Sequence, residues 1–463
     1  MREPLNREAS IRAGSTFFYT QGPIVNMLRI LDDSHGFKTD LFVRESQLKV
    51  GIIDADLLDN GTRHPNLALL KISGYCKGKG HNVRLICDYS ELLLGSPFFM
   101  DEQDYDVLVL SCVFKFTKLP LQIKEMIAAG FIYWGGTGFD EINGPTLPNE
   151  VEHHMPDYHL YDEFISRRTG GDEKLMKRDW DDYLSYSVGF TTRGCIRHCG
   201  FCVNRLLNRV VPWSPVEEFL DKTRKCIYLW DDNIMAAPPR VFKHVMESLQ
   251  QTNLPFQFRQ GMDIRLMTDE KAELLNNVRY HGDYIFAFDH YRMDIPRERK
   301  EVEQTLRGLA IWRKHSHKST KLYVLVAYDG LDEKDIEGTF FRIQKLMEFG
   351  CLPYIMRFED YKTSRFRTLY TQLARWCNQP GFFKKMSFRQ YCVRNEEYHQ
   401  GIQKPHKDGR YSKELKFPKR FKPKERYCAC YQAMLDFEEE FPDIAKKYFD
   451  LRFEELNPYK LHK

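Results

Sequence analysis

The sequence predicts an α/β protein: an N-terminal doubly wound domain of the Rossmann or flavodoxin-like type, then a partial or complete β/α barrel, then a basic C-terminal extension. Three observations predict this order. Two successive stretches of the chain each alternate short β-rich runs with segments of helix length, which is typical of parallel sheets with crossover helices. Near residue 376 the composition changes, and the chain becomes basic and punctuated by proline.

The first alternating stretch occupies residues 48–150. It follows residues 1–47, whose pattern is mixed and which we treat as an N-terminal extension. Its β-rich runs read KVGIIDADLL, NVRLICDY, YDVLVLSCVF and FIYWGGTGF. Residues 151–185 are rich in acids and histidines, and we interpret them as a linker.

The second alternating stretch, residues 186–375, contains six β-rich runs with helix-length segments between them. This repeat predicts a β/α barrel, whose catalytic side chains would lie at the carboxyl ends of its strands. Residues 376–463 form the basic C-terminal region. Its run KELKFPKRFKPKER could contact RNA phosphates, although a solvated basic surface is the commoner explanation of such a run.

Composition limits the class of protein. Of the 463 residues, 42% are hydrophobic and 14% aromatic, which is too apolar for a disordered chain. The net charge of +4 does not by itself indicate a nucleic-acid partner. The first residues are charged, and no apolar run is long enough to span a bilayer. We therefore expect a cytoplasmic protein without a membrane partner, in which cysteines stay reduced.

Three cysteines crowd into one polar loop, FTTRGCIRHCGFCVNR. Cys195, Cys199 and Cys202 have the spacing C-x3-C-x2-C, which lets three thiolates converge on one soft metal centre. A structural zinc site with His198 as the fourth ligand is the alternative. His198 adjoins Cys199 in the chain, and no second C-x2-C pair follows at zinc-ribbon spacing, so the sequence favours an iron-sulfur centre.

This loop, with Phe201 before the last cysteine and a β-run before the loop, resembles the signature of the radical SAM superfamily. The resemblance covers about residues 185–375. It implies a [4Fe-4S] cluster on the three cysteines and S-adenosylmethionine on the open iron. It further implies reductive cleavage to a 5′-deoxyadenosyl radical, which abstracts hydrogen from a substrate, and an electron donor such as flavodoxin or ferredoxin. The substrate stays open between a small molecule, a peptide and tRNA.

The same resemblance gives expected roles to polar residues after the second barrel strand. There the family binds the ammonium of S-adenosylmethionine, often through a Gly-Gly-Glu-like motif. This chain has Asp231, Asp232 and Asn233 at that place instead. A simple turn and helix cap is an equally good explanation of these residue types.

Further polar residues lie near the predicted third, fourth and fifth barrel strands. In RQGMDIR, we expect Gln260, Asp263 and Arg265 to alternate on one face of the third strand, either facing a ligand or forming a buried ion pair between Asp263 and Arg265. Asp289 ends the fourth strand. Asp263, Arg265 and Asp289 are the predicted catalytic residues, and Gln260 is a predicted cofactor contact. Tyr328 and Asp329 end the fifth strand.

The first domain resembles the cobalamin-binding domain that precedes the barrel in many radical SAM proteins. Ser111 and the Gly135–Gly136 pair lie where that domain contacts its cofactor, although a tight turn also explains two glycines. The family places a histidine in the motif Asp-x-His-x-x-Gly. Here the segment reads DADLLDNGTRH, with Asp54 and Gly61 but no histidine at that spacing, so the fold and the cofactor need not occur together.

Two rival functions follow from these features. A cobalamin-dependent radical SAM methyltransferase would hold methylcobalamin in the first domain. A zinc-stabilised nucleic-acid-binding protein would use the basic run and carry out no catalysis. The remaining cysteines are scattered, and we expect most to be buried thiols. Cys428 and Cys430 are closer together, but two ligands do not make a metal site.

Overall fold

The computed structural model describes residues 46–92, 105–140, 146–202, 207–401 and 424–459. The fold is mixed α/β with parallel sheets, which confirms the predicted class. The chain divides into two compact units, one comprising residues 1–232 and 237–256 and the other residues 233–236 and 257–463. In the described part of the chain, no helix combines the length and the apolar character needed to cross a membrane.

The first unit begins with a parallel four-stranded sheet in the order β2-β1-β3-β4. The two central strands are almost completely buried, because helices cover both faces of such a sheet. Register aligns Asp54, Ser111 and Gly135 across the carboxyl ends of three neighbouring strands. The strands are β1 (Lys49–Asp54), β2 (Asn82–Leu85), β3 (Val107–Ser111) and β4 (Tyr133–Gly135).

Helices of varied length accompany this sheet. Asn66 caps α2 by accepting a hydrogen bond from Leu69 N, which fixes the start of the longest of them. The segment predicted as a linker is folded: Phe164 and Tyr183 from its helices, and Tyr158 from the turn before α5, belong to the same buried core as β1 and β3. The helices are α1 (Ala55–Asn60), α2 (Leu67–Gly78), α3 (Leu121–Ala128), α4 (Asn149–Glu152), α5 (Asp162–Thr169), α6 (Glu173–Asp179) and α7 (Asp181–Ser185).

The first unit continues with the strands that carry the cysteine loop. Strand β5 pairs in parallel with β8, and β9, whose first residue Phe256 belongs to this unit, is the third strand of their sheet. A short antiparallel pair, β6 with β7, closes the base of the loop. The elements are β5 (Tyr186–Gly189), β6 (Thr192–Arg193), β7 (Val211–Pro212), β8 (Cys226–Leu229), α8 (Pro239–Gln251) and β9 (Phe256–Phe258).

The second unit contains a parallel sheet in the order β10-β11-β12. Strand β11 is central, and its residues alternate between buried and half-buried. Arg342 of α11 is completely buried and donates hydrogen bonds to the carbonyl oxygens of Asp289 and Leu325, both at 2.8 Å, near the carboxyl ends of two strands. The strands are β10 (Tyr284–Ala287), β11 (Thr320–Val326) and β12 (Leu352–Arg357).

Helices make up the rest of the second unit. Those after residue 376 lie within the predicted basic region, and residues 413–423 of its basic run lie outside the described residues. Ser387 and Gln390 form a reciprocal capping box at the start of α14. The helices are α9 (Asp269–Asn277), α10 (Pro296–His315), α11 (Glu333–Glu348), α12 (Arg367–Cys377), α13 (Pro380–Phe383), α14 (Phe388–His399), α15 (Ala429–Glu440), α16 (Pro442–Tyr448) and α17 (Phe453–Leu456).

Candidate metal-binding loop

The three cysteines lie on an excursion that leaves the sheet after β5 and returns at β7. Thr192 and Arg193 pair with Pro212 and Val211 at its base. Trp213 N donates to the carbonyl oxygen of Thr191 at 2.9 Å and extends this closure. The excursion therefore starts and ends at one fixed point beside the carboxyl end of β5.

Gly194 makes the turn into the loop, and no other residue type fits there. Its φ of +94° lies in the left-handed region that side chains disfavour. A Cβ at this position would also lie 2.1 Å from the carbonyl oxygen of Arg209 on the returning strand. Cys195 N donates to the carbonyl oxygen of Leu207 at 3.2 Å, so the outgoing and returning chains stay together beyond the turn.

Asp231, two residues after β8, holds the base of the loop in place. It is buried and accepts four hydrogen bonds from Thr191 and Thr192: from Thr191 N at 3.1 Å, Thr191 Oγ1 at 2.5 Å, Thr192 N at 2.6 Å and Thr192 Oγ1 at 2.7 Å. Burial raises the pKa of Asp231 to about 6, although these hydrogen bonds act in the opposite direction. The Asp231 carboxylate is thus hydrogen-bonded to the residues that precede the cysteine loop.

Asp232 fastens the turn. Its Oδ2 accepts a hydrogen bond from Gly194 N at 2.6 Å and lies 3.9 Å from Arg193 Nε. The guanidinium of Arg193 also lies 4.0 Å from the centre of the Phe190 ring, so it is held on two sides. Both acids predicted to bind the ammonium of S-adenosylmethionine therefore hold the cysteine loop in place.

The thiols themselves differ from most cysteines of the chain. Cys195, Cys199 and Cys202 are half-buried, whereas all the others except Cys428 are buried. Arg197 N donates a hydrogen bond to Cys195 Sγ at 3.3 Å, and Cys202 N donates to the carbonyl oxygen of Cys199 at 3.0 Å. Hydrogen bonds to sulfur are among the features that tune iron-sulfur centres.

The donor set fits the predicted cluster in its chemistry: three half-buried soft thiols and one amide directed at sulfur. Within the described residues, no group of three or more His, Cys, Asp or Glu side chains is drawn together as a metal ion requires. The three thiols are thus close in sequence and tied to one turn, but they do not form a closed ligand set.

The predicted third barrel strand is wrong in its extent. Strand β9 ends at Phe258, so Gln260, Asp263 and Arg265 follow it rather than alternate along it. Gln260 is exposed. Asp263 caps a 3-10 helix, Ile264–Leu266, because a short polar side chain satisfies the helix's free N–H groups there.

Asp263 and Arg265 form an ion pair, which is one of the two alternatives that the sequence offers for these residues. Arg265 Nε donates to Asp263 Oδ1 at 2.6 Å, and Arg265 Nη1 donates to Glu301 Oε2 at 2.6 Å. Burial alone would lower the pKa of Arg265, but the hydrogen bonds and negative charges of the two acids raise it overall. Arg265 thus lies between two carboxylates, those of Asp263 and Glu301.

The other predicted site residues lie at strand ends. Asn233 is buried just after Asp232. Asp289 is half-buried two residues after β10 and accepts a hydrogen bond from Leu325 N at 3.3 Å; burial raises its pKa. Tyr328 and Asp329 follow Ala327, whose φ of +60° is uncommon for a residue other than glycine.

In the first sheet, Ser111 and Gly135 are neighbours in register. Ser111 Oγ accepts a hydrogen bond from Asn66 Nδ2 at 2.8 Å. Gly136 has a φ of +107°, and a Cβ there would lie 2.2 Å from the carbonyl oxygen of Cys112, so the tight turn explains this glycine.

His64, the histidine that follows the Asp54 motif, is paired with a carboxylate: its Nδ1 lies 2.5 Å from Asp182 Oδ2. These residues do not fit a histidine-ligated cobalamin.

Cys430 has a partner that the sequence did not indicate. Its Sγ lies 3.4 Å from Sγ of Cys392 on α14, and Asn395 Nδ2 donates to it at 3.5 Å. The hydrogen bond with Cys392 lowers the pKa of Cys430. Cys428 instead caps α15 by accepting a hydrogen bond from Tyr431 N. Cys428 and Cys430 therefore do not act as a pair.

Sequence reasoning missed Thr191, Thr192 and Gly194, which determine the geometry of the loop base. The only available signal was a Thr-Thr-x-Gly run between a β-strand and the first cysteine. Comparison of the chain with protein-family models finds no matching family, and comparison with curated proteins finds no match.

Proposed function

We propose that this chain is a radical SAM enzyme in which Cys195, Cys199 and Cys202 hold a [4Fe-4S] cluster. The observation that supports it most is the position of the C-x3-C-x2-C loop. The loop leaves the sheet at the carboxyl end of β5, and two acids after the parallel neighbour β8 hold its base. Ligands of parallel α/β sheets collect at that end of the strands.

When bound, such a cluster supplies the single electron that cleaves the sulfonium of S-adenosylmethionine. The chain's own residues prepare the place. Asp231 and Asp232 hold the loop base, Gly194 sets the turn, and the amide of Arg197 points at the sulfur of Cys195. Contacts of Asn233, Gln260 and Asp289 with cofactor or substrate stay predictions, as do catalytic roles for Asp263 and Arg265.

The finer architecture is part of the same proposal. The parallel order β2-β1-β3-β4 supports a flavodoxin-like doubly wound domain, because the strand order reverses beside β1. Strands β5 and β8 to β12 are those that a partial β/α barrel would use.

The test is S-adenosylmethionine cleavage under anaerobic conditions. Wild type and Cys199→Ser are reconstituted with iron and sulfide, reduced with dithionite, and assayed for 5′-deoxyadenosine. Cys428→Ser is the matched control, because it removes an equally half-buried thiol while serine keeps the helix cap. Wild type and the control should form 5′-deoxyadenosine, and Cys199→Ser should form none. Equal product from all three, or none from wild type, would refute the proposal.

A further inference from the structure

A pocket of about 440 Å³ lies in the second unit, beyond the carboxyl end of strand β12. Its walls are the 3-10 helix Glu359–Lys362 and the exposed face of α12. It shares no residue with the cysteine loop, so it is independent of the function proposed above. The carboxyl end of a parallel strand is where α/β folds usually bind ligands.

Among the residues that the structure describes, the pocket is lined by three cations and no carboxylate. Lys362, Arg367 and Arg375 all line it, and all three are exposed. Among the described residues, none of the three forms an ion pair. Glu359 and Asp360 belong to the same short 3-10 helix but do not line the pocket.

This arrangement contrasts with other exposed cations of the same unit. Arg365 lies 2.7 Å from a carboxylate oxygen of Glu440, and Lys314 lies 2.8 Å from one of Asp269. Three positive charges that share one pocket repel each other, and no acid among the described lining residues offsets the repulsion. A bound anion would remove that repulsion.

Hydrogen-bonding groups accompany the charges. Thr368, Thr371 and Gln372 add hydroxyl and amide groups to the lining. Arg357, at the end of β12, donates from Nη1 to Thr371 Oγ1 at 3.0 Å, and its guanidinium lies 4.5 Å from the centre of the Tyr361 ring. A further cation therefore lies beside the pocket.

The start of α12 adds to the positive potential. The helix has eleven residues and begins at Arg367, and its N-cap, Phe366, provides no side-chain hydrogen bond. The N-terminus of a helix carries partial positive charge and favours anions. Here it reinforces the side-chain cluster.

We propose that this pocket binds a phosphate group of an anionic ligand. Guanidinium groups match phosphate oxygens with paired hydrogen bonds, and lysine adds a compact positive charge. Two kinds of ligand carry this chemistry, a phosphorylated small molecule and the backbone of a nucleic acid. The experiment separates the two.

The experiment uses the full-length chain and two probes. Pyrophosphate binding is measured by calorimetry, and binding of a fluorescent single-stranded RNA of about twelve nucleotides is measured by anisotropy at several salt concentrations. The test variant is R367Q/R375Q. The matched control, R240Q/R297Q, removes two exposed arginines from the first turns of α8 and α10 and changes the net charge equally.

We expect pyrophosphate to bind wild type and the control alike and to bind R367Q/R375Q at least about tenfold more weakly. A nucleic-acid ligand would show the same loss for RNA, together with a salt slope that is smaller by about 1.4, because two phosphate contacts are gone. A response with pyrophosphate alone would identify a phosphorylated small molecule.

The proposal is overturned if neither probe distinguishes R367Q/R375Q from R240Q/R297Q, whether both variants bind normally or both lose binding equally. Melting temperatures show whether the variants are folded. Should R367Q/R375Q fail to fold, Lys362→Gln gives the same test, since Lys362 is exposed on a short 3-10 helix.

Discussion

Two groups of acids that follow strands, one in each unit, show how the same sequence signal can have different structural meanings. In the first unit, Asp231 and Asp232 bind the backbone of the cysteine loop. In the second unit, Asp263 binds Arg265, two residues away. The sequence predicts ligand-binding residues at the mouth of a barrel for both groups.

The difference lies in what each acid contacts. Asp231 reaches residues 39 and 40 positions earlier in the chain, so its hydrogen bonds hold the cysteine loop against a neighbouring strand. Asp263 contacts its own local turn and Arg265, which also binds Glu301, so these hydrogen bonds do not involve the cysteine loop. The sequence alone does not distinguish a polar residue that holds the cysteine loop from one that pairs with its chain neighbour.

Asp231→Ala should have the largest effect. It leaves two buried N–H groups and two hydroxyls without their acceptor, so we expect a loss of about 3–5 kcal/mol in the free energy of unfolding. Iron bound after reconstitution should fall with it, because the loop base is released. Denaturant unfolding and iron analysis measure both. Asp221→Ala is the control, since Asp221 accepts hydrogen bonds from Thr223 in its own turn; equal iron loss there would contradict the assignment.

Gly194→Ala tests the turn into the loop. The left-handed φ and the clash with the carbonyl of Arg209 should together destabilise the chain by about 2–4 kcal/mol and reduce iron binding. Gly170→Ala is a matched control, because its φ is also positive, at +60°, but its Cβ would meet nothing within 4 Å. If Gly170→Ala reduced iron binding as much as Gly194→Ala, the loop geometry would not depend on this close approach.

Asp263→Ala tests the ion pairs of Arg265. The substitution removes one of the two carboxylates to which Arg265 is hydrogen-bonded, and we expect a loss of about 2–3 kcal/mol in stability with iron content unchanged. The control is Asp269→Ala, which removes an exposed acid paired with Lys314 and His315 and should have a smaller effect. Loss of iron in Asp263→Ala without loss of stability would place Asp263 in the functional site.

The smallest expected effect is the change in the free energy of unfolding with pH. The pKa of Asp231 in the folded chain is raised to about 6, above the ordinary value of 3.8. The native state therefore binds a proton that the unfolded chain releases, and the contribution of Asp231 weakens as pH rises from about 4 to about 6. Relative to Asp231→Asn, wild-type stability should fall by on the order of 2 kcal/mol over this interval and then stay level.

Chemical denaturation of both proteins between pH 4 and pH 8 provides the measurement. Other titrating acids, such as Asp54, whose pKa is raised to about 7 by burial, affect both proteins and cancel in the difference. Parallel stability curves for the two proteins would show that Asp231 does not titrate in this range.

Much of the fold could be predicted because burial leaves a clear pattern in the sequence. Strands β1 and β3 are continuous apolar runs, and both lie at the centre of a parallel sheet. The sequence predicts too long a third strand, because polar and apolar residues alternate in RQGMDIR as they do in a strand. In the structure β9 ends at Phe258, and Asp263 is a helix cap. The sequence predicts a linker for residues 151–185, because polar residues dominate this segment. Its buried residues, such as Tyr158 and Tyr183, are too few to give a clear pattern.

The candidate site was predictable only in part. Spacing marked Cys195, Cys199 and Cys202, but spacing carries no information on what holds a loop in place. The role of Asp231 depends on a contact across about forty residues, and the pairing of Cys392 with Cys430 depends on two helices meeting. Such long-range contacts are set by the tertiary structure and leave no local signature.

The most direct test of the central claim is the metal content of the cysteine loop. Wild type, Cys199→Ser and Cys428→Ser are reconstituted anaerobically, and iron and acid-labile sulfide are measured per chain. We expect about four irons and four sulfides for wild type and Cys428→Ser, and loss of the cluster in Cys199→Ser. Wild type that binds zinc and no iron, or Cys199→Ser that keeps a full complement of iron, would contradict it.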